Sequence, residues 1–391
     1  MTQSKATAGP LAGLLVIDFT AFESGPLGTV MLADHGARVI KVEPPTGDAV
    51  RAIGYGHKER PDLFKETVNV EFQQFNRGKE GITLNLKDPD DHAFALKLIT
   101  KADVVVENYR PGVMKRLGLD YDTVKTLNPS LIFVSISGYG QFGEFATNAA
   151  FDVVVQATSG FMSATGQPGG KPTKSGPSIA DAGASIYGYA ALLTALYGRE
   201  KTGKGCLVDV AMQDALMMAQ SDAICMSLIT GEHPELDGNE FPLLHPFGVF
   251  DCKDDTQLAL CIGAPHQFAD MATAMGHPEW AKDERFTFPE GVAATHREEF
   301  NALFKPELAT KTAKEWKVIF DKVRLPVNIL YDYVELANSE FMKERKMVAE
   351  FKGMKVLGNP MKLSAYPDPA DCLREAPTLG EQNDAIRKEF G

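Results

Sequence analysis

The first half of the chain alternates short apolar runs with amphipathic segments, and this pattern constrains the fold more than any other feature. The apolar, strand-like runs are residues 14–18, 38–43, 82–86, 103–106 and 131–137. Strands of a parallel sheet are covered by helices on both faces, so they read as nearly continuous apolar runs. The sequence therefore predicts βαβ units and an α/β domain with a Rossmann-like parallel sheet.

Proline, aspartate and glycine mark the expected helix ends. Pro26 and Gly36 are placed to begin and end one helix, and the pair 88–89 (Asp-Pro) to begin another. Residues 182–197 form a long apolar run rich in alanine and glycine, which is typical of a helix packed closely in a core. A further strand is predicted at 206–212.

Composition changes after residue 231, where prolines and glycines mark a connector. Residues 248–252 and 257–262 alternate like antiparallel strands, and Thr312 with Glu315 forms the pattern of a capping box at a helix start. We predict a large domain from 1–225 with 330–391, a smaller α+β domain at 232–325, and linkers at 226–231 and 326–329.

Charge and cysteine usage exclude several classes of protein. The formal net charge of -12 argues against a general nucleic-acid binder, which needs a basic face. Five cysteines without a C-x-x-C pair and eight dispersed histidines suggest reduced thiols and no metal site. The apolar run 11–17 is short and ends at Asp18, and no later run reaches the length of a membrane span. We expect a cytoplasmic protein without nucleic-acid or membrane partners.

Residues 138–143 (GYGQFG) match the G-x-G-x-x-G pattern of dinucleotide sites after a predicted strand. In such a site the glycines let the backbone approach pyrophosphate, which lies at the N-terminus of the next helix. Residues 144–150 are a poor helix start, and the motif falls late in the chain. A dinucleotide-dependent oxidoreductase, using flavin or nicotinamide, stays open as an alternative.

Asp181 lies in residues 178–183 (SIADAG), where the long apolar helix is expected to begin. An aspartate there can be an N-cap, which contributes about 1 kcal/mol. It can also be a nucleophile, because a helix N-terminus favours the ionised carboxylate and its N–H groups can hold an oxyanion. The residues alone leave both interpretations open.

Ordered stretches over the whole chain carry a family resemblance. They include 11–20 (LAGLLVIDFT), 32–43 (LADHGARVIKVE), 103–112 (DVVVENYRPG), 151–160 (FDVVVQATSG), 178–183 and 199–215 (REKTGKGCLVDVAMQDA). Together they resemble the class III CoA-transferase family of the CaiB/BaiF type, which includes formyl-CoA transferase and carnitine CoA-transferase.

The resemblance implies a reaction and an assembly. In this family an aspartate at the position of Asp181 attacks an acyl-CoA, giving a mixed anhydride and then an aspartyl-CoA thioester, and an acceptor carboxylate reverses the sequence. Acyl-CoA and a small carboxylic acid are the implied substrates, with no metal and no tightly bound cofactor. The implied assembly is an interlocked homodimer in which two ring-like chains thread each other.

The resemblance also implies positions that contact CoA. These are the loop residues Phe22, Glu23 and Ser24, then Leu84, Lys87, Asn108, Tyr109, Arg110 and Arg116. Phe151 and Asp152 match the place where the family has residues near the acyl group. Arginine and lysine suit phosphate groups because of their charge and their hydrogen-bond donors.

The sequence departs from family members at informative places. Formyl-CoA transferase has glutamine where this chain has Glu23, and residues 245–253 (HPFGVFDCK) lack its run of glycines. Oxalate and formate are therefore not the expected substrates. The α-methylacyl-CoA racemase branch has a histidine where this chain has Phe151, which cannot move a proton. Racemase chemistry is the disfavoured alternative.

Overall fold

The computed structural model describes residues 9–53, 69–351 and 354–391. These residues form two compact units. The first contains the described residues up to Phe161 together with Lys174–Glu232 and Glu340–Gly391. The second contains Met162–Thr173 and His233–Ser339.

A six-stranded parallel sheet forms the centre of the first unit. Its strands are β1 (Leu15–Asp18), β2 (Arg38–Glu43), β3 (Glu80–Thr83), β4 (Val104–Glu107), β5 (Ile132–Ser137) and β6 (Leu207–Ala211). The order is β3-β2-β1-β4-β5-β6, so the predicted parallel sheet is confirmed. In such an order the strand sequence reverses beside β1 and β4, and ligands bind outside the carboxyl ends of the strands there.

Helices cover both faces of this sheet. They are α1 (Pro26–Asp34), α2 (Val70–Asn76), α3 (Pro89–Lys101), α4 (Val113–Arg116), α5 (Tyr121–Val124), α6 (Asp152–Thr158), α7 (Ile179–Thr202), α8 (Met212–Met218) and α9 (Ser221–Thr230). Alternate strand residues enter two separate cores: Val104 and Val106 lie in one and Val105 in the other. The helix starts predicted at Pro26 and at the 88–89 pair are confirmed.

Helix α7 is longer than the predicted 182–197. By length and composition it could cross a membrane, but it packs against β5, β6 and α1 as a core helix does. Small residues allow this close packing, since a Cβ added at Gly188 would lie 3.2 Å from Ile136. The helix ends at Gly203, whose φ of 69° places it in the left-handed region.

The second unit has an antiparallel sheet of β7 (Phe247–Asp251), β8 (Gln257–Cys261) and β9 (Val327–Ile329). Its helices are α10 (Pro265–Met275), α11 (Arg297–Leu308), α12 (Ala313–Lys322) and α13 (Tyr333–Asn338). The antiparallel pair and the capping box of Thr312 with Glu315 are as predicted. Residues 326–329, the expected linker, include the edge strand β9.

The C-terminal segment belongs to the first unit. It contains α14 (Glu340–Glu344), the antiparallel hairpin β10 (Val348–Phe351) and β11 (Met354–Leu357), and α15 (Asn383–Phe390). Gln382 Oε1 accepts a hydrogen bond from Gly81 N at 2.6 Å, and Asn383 Oδ1 accepts one from Thr83 N at 2.8 Å. The end of the chain therefore covers the edge strand β3.

Candidate active site

Two predicted segments meet at the carboxyl ends of β1 and β4. Asn108, directly after β4, accepts a hydrogen bond from Ala21 N at 2.9 Å through Oδ1. Its Nδ2 donates to Ala21 O at 2.8 Å and to Ser24 Oγ at 3.1 Å. The loop after β1 and the segment after β4 are thus joined at the place where doubly wound sheets bind their ligands.

Phe22 occupies a strained position in the loop after β1. Its φ of 63° lies in the left-handed region, which non-glycine residues rarely adopt. Its ring packs edge-on against Phe151, with ring centroids 6.0 Å apart, and both rings stay partly exposed. These two predicted residues therefore form a partly exposed aromatic pair that includes the loop after β1.

Asp181 is in the first turn of α7, but it is not the N-cap. Ser178 holds that position and makes no side-chain cap, so the N-cap interpretation of Asp181 is wrong. Asp152 replaces the cap, because its Oδ1 accepts hydrogen bonds from Ala180 N at 2.8 Å and Asp181 N at 3.4 Å. Within residues 9–53, 69–351 and 354–391, nothing donates a hydrogen bond to the Asp181 carboxyl group.

The start of α7 has no free amides with which to hold an oxyanion. Asp152 takes two of the N–H groups, Ile179 N donates to Pro177 O at 2.9 Å, and Ala182 N donates to Ser178 O at 3.0 Å. The expectation that neighbouring amides stabilise an oxyanion is therefore wrong for this helix end.

The loop after β1 contacts α7 on both sides of Asp181. The Ser178 side chain lies beside the Glu23 carboxyl group, whose pKa it lowers. One further turn along, Ser185 Oγ donates to Ser24 O at 2.7 Å and to Asp181 O at 2.9 Å. Asp181 lies between these two contacts, so Glu23 is held next to it. We call Glu23, Asp152 and Asp181 the carboxyl cluster.

Burial and like charges raise the pKa of two carboxyl groups in this cluster. Burial, with the nearby charges of Glu23 and Asp152, raises the pKa of Asp181 to about 7. Burial also raises the pKa of Glu23 to about 7, opposed by the Ser178 hydroxyl and assisted by Glu71 and Asp152. Burial and the neighbouring carboxyl groups therefore outweigh any lowering of the Asp181 pKa by the helix N-terminus.

A second charged group, not predicted from the sequence, lies beneath the same loop. We call its members, Asp18, Lys41, Asp48 and Lys79, the buried ion network. Lys79 Nζ donates to Asp18 Oδ2 at 2.9 Å, and Lys41 Nζ donates to Asp48 Oδ2 at 3.0 Å. Burial opposes ionisation, but Lys79, Lys41 and Thr20 together lower the pKa of Asp18 to about 2.

Charged residues within buried strands are the sequence feature that corresponds to this network, but they do not identify its members. Asp18 ends the apolar strand β1 and Lys41 lies inside β2, and both side chains are completely buried. A charged residue inside a buried strand requires a partner of opposite charge. Its partner comes from elsewhere in the fold, and sequence spacing does not reveal which residue that is.

The remaining predicted CoA positions differ in exposure. Leu84 packs in the core at 1% exposure, so its side chain is not presented to a ligand, and its place among the CoA contacts stays a prediction. Tyr109 is partly buried against the same core. The side chains of Lys87, Arg110 and Arg116 are exposed and free to meet phosphate groups.

Arg110 also lines a cavity of about 280 Å³ at the end of β4. Glu107, Lys115, Tyr121 and Gln141 line the same cavity. Burial raises the pKa of Glu107 to about 7, against the opposing hydrogen bonds from Ser135 and from the Tyr109 amide. Asp120 and Asp122 line the cavity as well, so the predicted arginine borders a space with both basic and acidic side chains in its wall.

The glycine-rich loop 138–143 does not have the structure of a dinucleotide site. Gln141 N donates to the Asp209 carboxylate at 3.0 and 3.2 Å, where pyrophosphate would need a free amide. No helix follows until α6 begins at Asp152. Among the residues that the structure describes, no group of three or more His, Cys, Asp or Glu side chains is arranged to hold a metal ion.

Sequence comparisons match nearly the whole chain. The family model for CoA-transferase family III matches residues 11–383. The acetyl-CoA:oxalate CoA-transferase of Acetobacter aceti is 41% identical over 98% of this chain and 96% of its own length. The succinate–glutarate CoA-transferase of Agrobacterium fabrum is 32% identical over 100% of this chain and 98% of its own.

Solved structures show the same similarity. A CAIB/BAIF family protein from Brucella suis aligns with a TM-score of 0.87 at 30% identity, covering 98% of this chain and all 100% of that one. Rv3272 from M. tuberculosis aligns with a TM-score of 0.85 at 28% identity, covering 97% of this chain and 99% of that one.

Proposed function

This chain belongs to CoA-transferase family III, and we propose that it moves CoA from an acyl-CoA donor to a free carboxylic acid through a covalent bond to Asp181. The observation that carries the proposal is the state of the Asp181 carboxyl group. It receives no hydrogen bond from the described residues and lies beside the loop at the carboxyl ends of β1 and β4. A structural aspartate at a helix start would be used as a cap instead.

The proposed reaction exchanges one activated acyl bond for another. The ionised Asp181 carboxylate attacks the thioester carbonyl of the donor, the C–S bond breaks, and CoA leaves as thiolate. The thiolate attacks the Asp181 carbonyl of the resulting anhydride, which releases the donor acid as carboxylate and leaves an aspartyl-CoA thioester. The acceptor carboxylate then attacks that thioester and expels the thiolate again. Attack of the thiolate on the acceptor carbonyl gives the new acyl-CoA and restores the Asp181 carboxylate.

The raised pKa of Asp181 supports a nucleophilic role. A carboxylate with a pKa of about 7 is more basic than an ordinary aspartate, and it is still substantially ionised at neutral pH. Its neighbours Glu23 and Asp152 supply negative charge, which favours the covalent intermediate because the acylated Asp181 is neutral. The cluster thus destabilises the ionised carboxylate of Asp181 in the resting enzyme and lowers the free energy needed to acylate it.

We assign the other predicted residues by exposure. Lys87, Arg110 and Arg116 are proposed to meet the phosphates of CoA, with the first unit as the CoA-binding domain. Phe22 and Phe151 are proposed to contact the acyl group or the pantetheine arm. Phe151 offers no proton to exchange, which argues against the racemase alternative.

The substrates are proposed from the named relatives. Those relatives act on acetyl-CoA with oxalate and on succinate with glutarate. We propose a small acyl-CoA and a small carboxylic acid for this chain. The similarity to an oxalate enzyme returns oxalate to the candidates, against the expectation from Glu23 and residues 245–253.

We also propose a cytoplasmic, interlocked homodimer. Large apolar side chains stay uncovered in the single chain, including Phe142 at 82%, Leu228 at 80% and Ile229 at 81% exposure. Apolar surface of this kind marks a contact with another protein surface. Light scattering should give twice the mass of the chain, and a monomer would contradict this assembly.

The test of the function uses Asp181→Asn and a matched control. Purified protein is incubated with acetyl-CoA or succinyl-CoA and each of oxalate, glutarate and succinate, and new acyl-CoA is measured by chromatography. We expect Asp181→Asn to lower transfer by about 10³-fold or more, because the amide is a poor nucleophile. Asp214→Asn is the control, since Asp214 holds the same first-turn position in α8 and is exposed.

Trapping the intermediate tests the same step directly. Mass spectrometry of the donor-treated enzyme should find CoA attached to the peptide that contains Asp181, and hydroxylamine should release it. Full transfer by Asp181→Asn, or CoA attached at another residue, would refute the proposal.

A further inference from the structure

The carboxamide of Asn108 uses both of its N–H donors and one lone pair of its oxygen on the loop after β1. A carboxamide has two N–H donors, and Asn108 Nδ2 already donates to Ala21 O at 2.8 Å and Ser24 Oγ at 3.1 Å. Its Oδ1 accepts from Ala21 N at 2.9 Å. The family resemblance places Asn108 among CoA contacts, but the observed bonds all go to the loop after β1.

The whole of that loop is tied down in the same way. Its anchors come from β4, from the buried ion network and from α7. The bonds are Phe19 N to Val106 O at 2.8 Å, Lys41 Nζ to Thr20 O at 2.8 Å, Phe22 N to Asp48 Oδ1 at 3.4 Å, and Ser185 Oγ to Ser24 O at 2.7 Å. Asn108 is the hydrogen-bond partner of both the N–H and the C=O group of Ala21, in the middle of the loop.

The strain at Phe22 explains why so many anchors are required. A phenylalanine with a φ of 63° persists only where the surrounding structure holds it in place. Ala21, the residue before it, is hydrogen-bonded through both of its backbone groups to Asn108, and to no other residue of the described ranges. Removing Asn108 therefore frees the backbone directly next to the strained residue.

We propose that Asn108 is a positioning residue, which holds the loop of residues 20–24 in the shape that binds CoA before CoA arrives. Its effect on catalysis rests on the proposed function, whereas its effect on the loop does not. A loop that is already ordered loses little conformational entropy when CoA binds, so the affinity for CoA is higher. Phe22 and Glu23 are the side chains that this loop presents to the site.

The experiment compares Asn108→Asp and Asn108→Ala with the wild-type protein. Asn108→Asp keeps the size of the side chain but removes both donations to the loop. The control is Asn128→Asp, because Asn128 also donates to backbone oxygens, at Ala102 O over 2.8 Å and Thr100 O over 3.4 Å, away from the site. Hydrogen–deuterium exchange is followed in the CoA-free proteins, and calorimetry measures the dissociation constant for free CoA.

In the CoA-free Asn108 variants we expect the Ala21 and Phe22 amides to exchange about tenfold faster or more, since Ala21 N loses its partner or its anchored geometry. We expect the dissociation constant for CoA to rise about tenfold, roughly the equivalent of one net hydrogen bond. Saturating CoA should restore much of the protection. Asn128→Asp should change neither quantity at these positions.

Each other outcome overturns the inference in a distinct way. Weaker CoA binding with unchanged exchange in the free protein would make Asn108 a direct CoA ligand. Faster exchange with unchanged CoA affinity would show that the loop's shape does not matter for binding. If the exchange result holds in a protein that neither binds CoA nor transfers it, the loop anchor stands and the proposed function fails.

Discussion

The carboxyl cluster and the buried ion network lie against the same loop, yet they treat charge in opposite ways. In the network every charged group has a hydrogen-bond partner. The Lys79 ammonium group, for example, donates to three side chains, those of Asp18, Thr29 and Asn76. In the cluster, Asp181 receives no donated hydrogen bond from any residue of the described chain. Fully paired buried charges hold a structure in one shape, whereas an unpaired carboxyl group with a raised pKa is typical of a functional site.

The contrast also explains the position of the loop between them. The network fixes the backbone of the loop from below, through Lys41 and Asp48. The loop then presents Glu23 to Asp181. A site with backbone strain and an unpaired carboxyl group is stable only where a region with fully paired polar groups supports it. Here one short loop connects the carboxyl cluster to the buried ion network.

Removing one cation from the network should give the largest change in stability. Lys79→Met leaves the Asp18 carboxylate buried without its main partner, so we expect the free energy of unfolding to fall by about 3–5 kcal/mol. Asp181→Asn removes an unpaired carboxyl group and should leave it unchanged or higher. Urea unfolding of both variants measures the difference. Equal losses in the two variants would show that the two regions are not distinct.

The pH dependence of stability should separate the two regions next. Because folding raises the pKa of Asp181 from 3.8 to about 7, its contribution to stability is present in full below pH 3.8 and is lost as the pH rises through 7. Asp181→Asn should therefore be more stable than the wild type at pH 8, by about 1–2 kcal/mol after allowing for solvent screening. The two proteins should converge near pH 4 in thermal unfolding experiments.

The contribution of Asp18 to stability changes with pH in the opposite direction. Its pKa falls from 3.8 to about 2 on folding, so the stability it contributes is present above pH 3.8 and is lost as the pH falls through 2. Wild-type protein should thus lose this contribution only in strong acid. A wild-type protein whose stability did not differ from that of Asp181→Asn at any pH would contradict the assignment of the raised pKa to Asp181.

Replacing Glu23 should shift the pH profile of transfer. The reaction needs ionised Asp181, so the rate should fall as the pH drops through 7. Glu23→Gln removes the neighbouring charge, and we expect this acidic limb to move down by about one pH unit. Asp214→Asn is the control, since Asp214 is exposed and is not among the charges that raise the pKa of Glu23 or of Asp181. An unmoved limb in Glu23→Gln would mean that another group controls it.

The smallest expected effect concerns the strain at Phe22. Phe22→Gly relieves the left-handed backbone but loses the ring contact with Phe151, so stability should change by less than about 1 kcal/mol. Phe22→Val keeps the strain with a β-branched side chain and should be less stable than Phe22→Gly by about 1–2 kcal/mol. Chemical unfolding of the pair measures this difference, and equal stabilities would show that the loop carries no backbone strain.

Local sequence patterns were enough to predict the strands of the parallel sheet and the likeness to the family. Apolar runs predicted all six strands to within a few residues, because hydrophobic periodicity is a local property. Ordered motifs such as 103–112 and 178–183 indicated the family and drew attention to Asp181. Predictions about particular side chains were less secure: Leu84 proved to be a core residue.

The electrostatic state of the site, by contrast, depends on contacts between segments that are distant in the chain. Asp181 lost its role as a cap to Asp152, which lies on another helix, and its pKa depends on Glu23 from a third element. Likewise, the partners of Asp18 and of Asn108 are remote in sequence. Burial and distances between charges arise only when distant segments pack together, so no local pattern in the sequence encodes them.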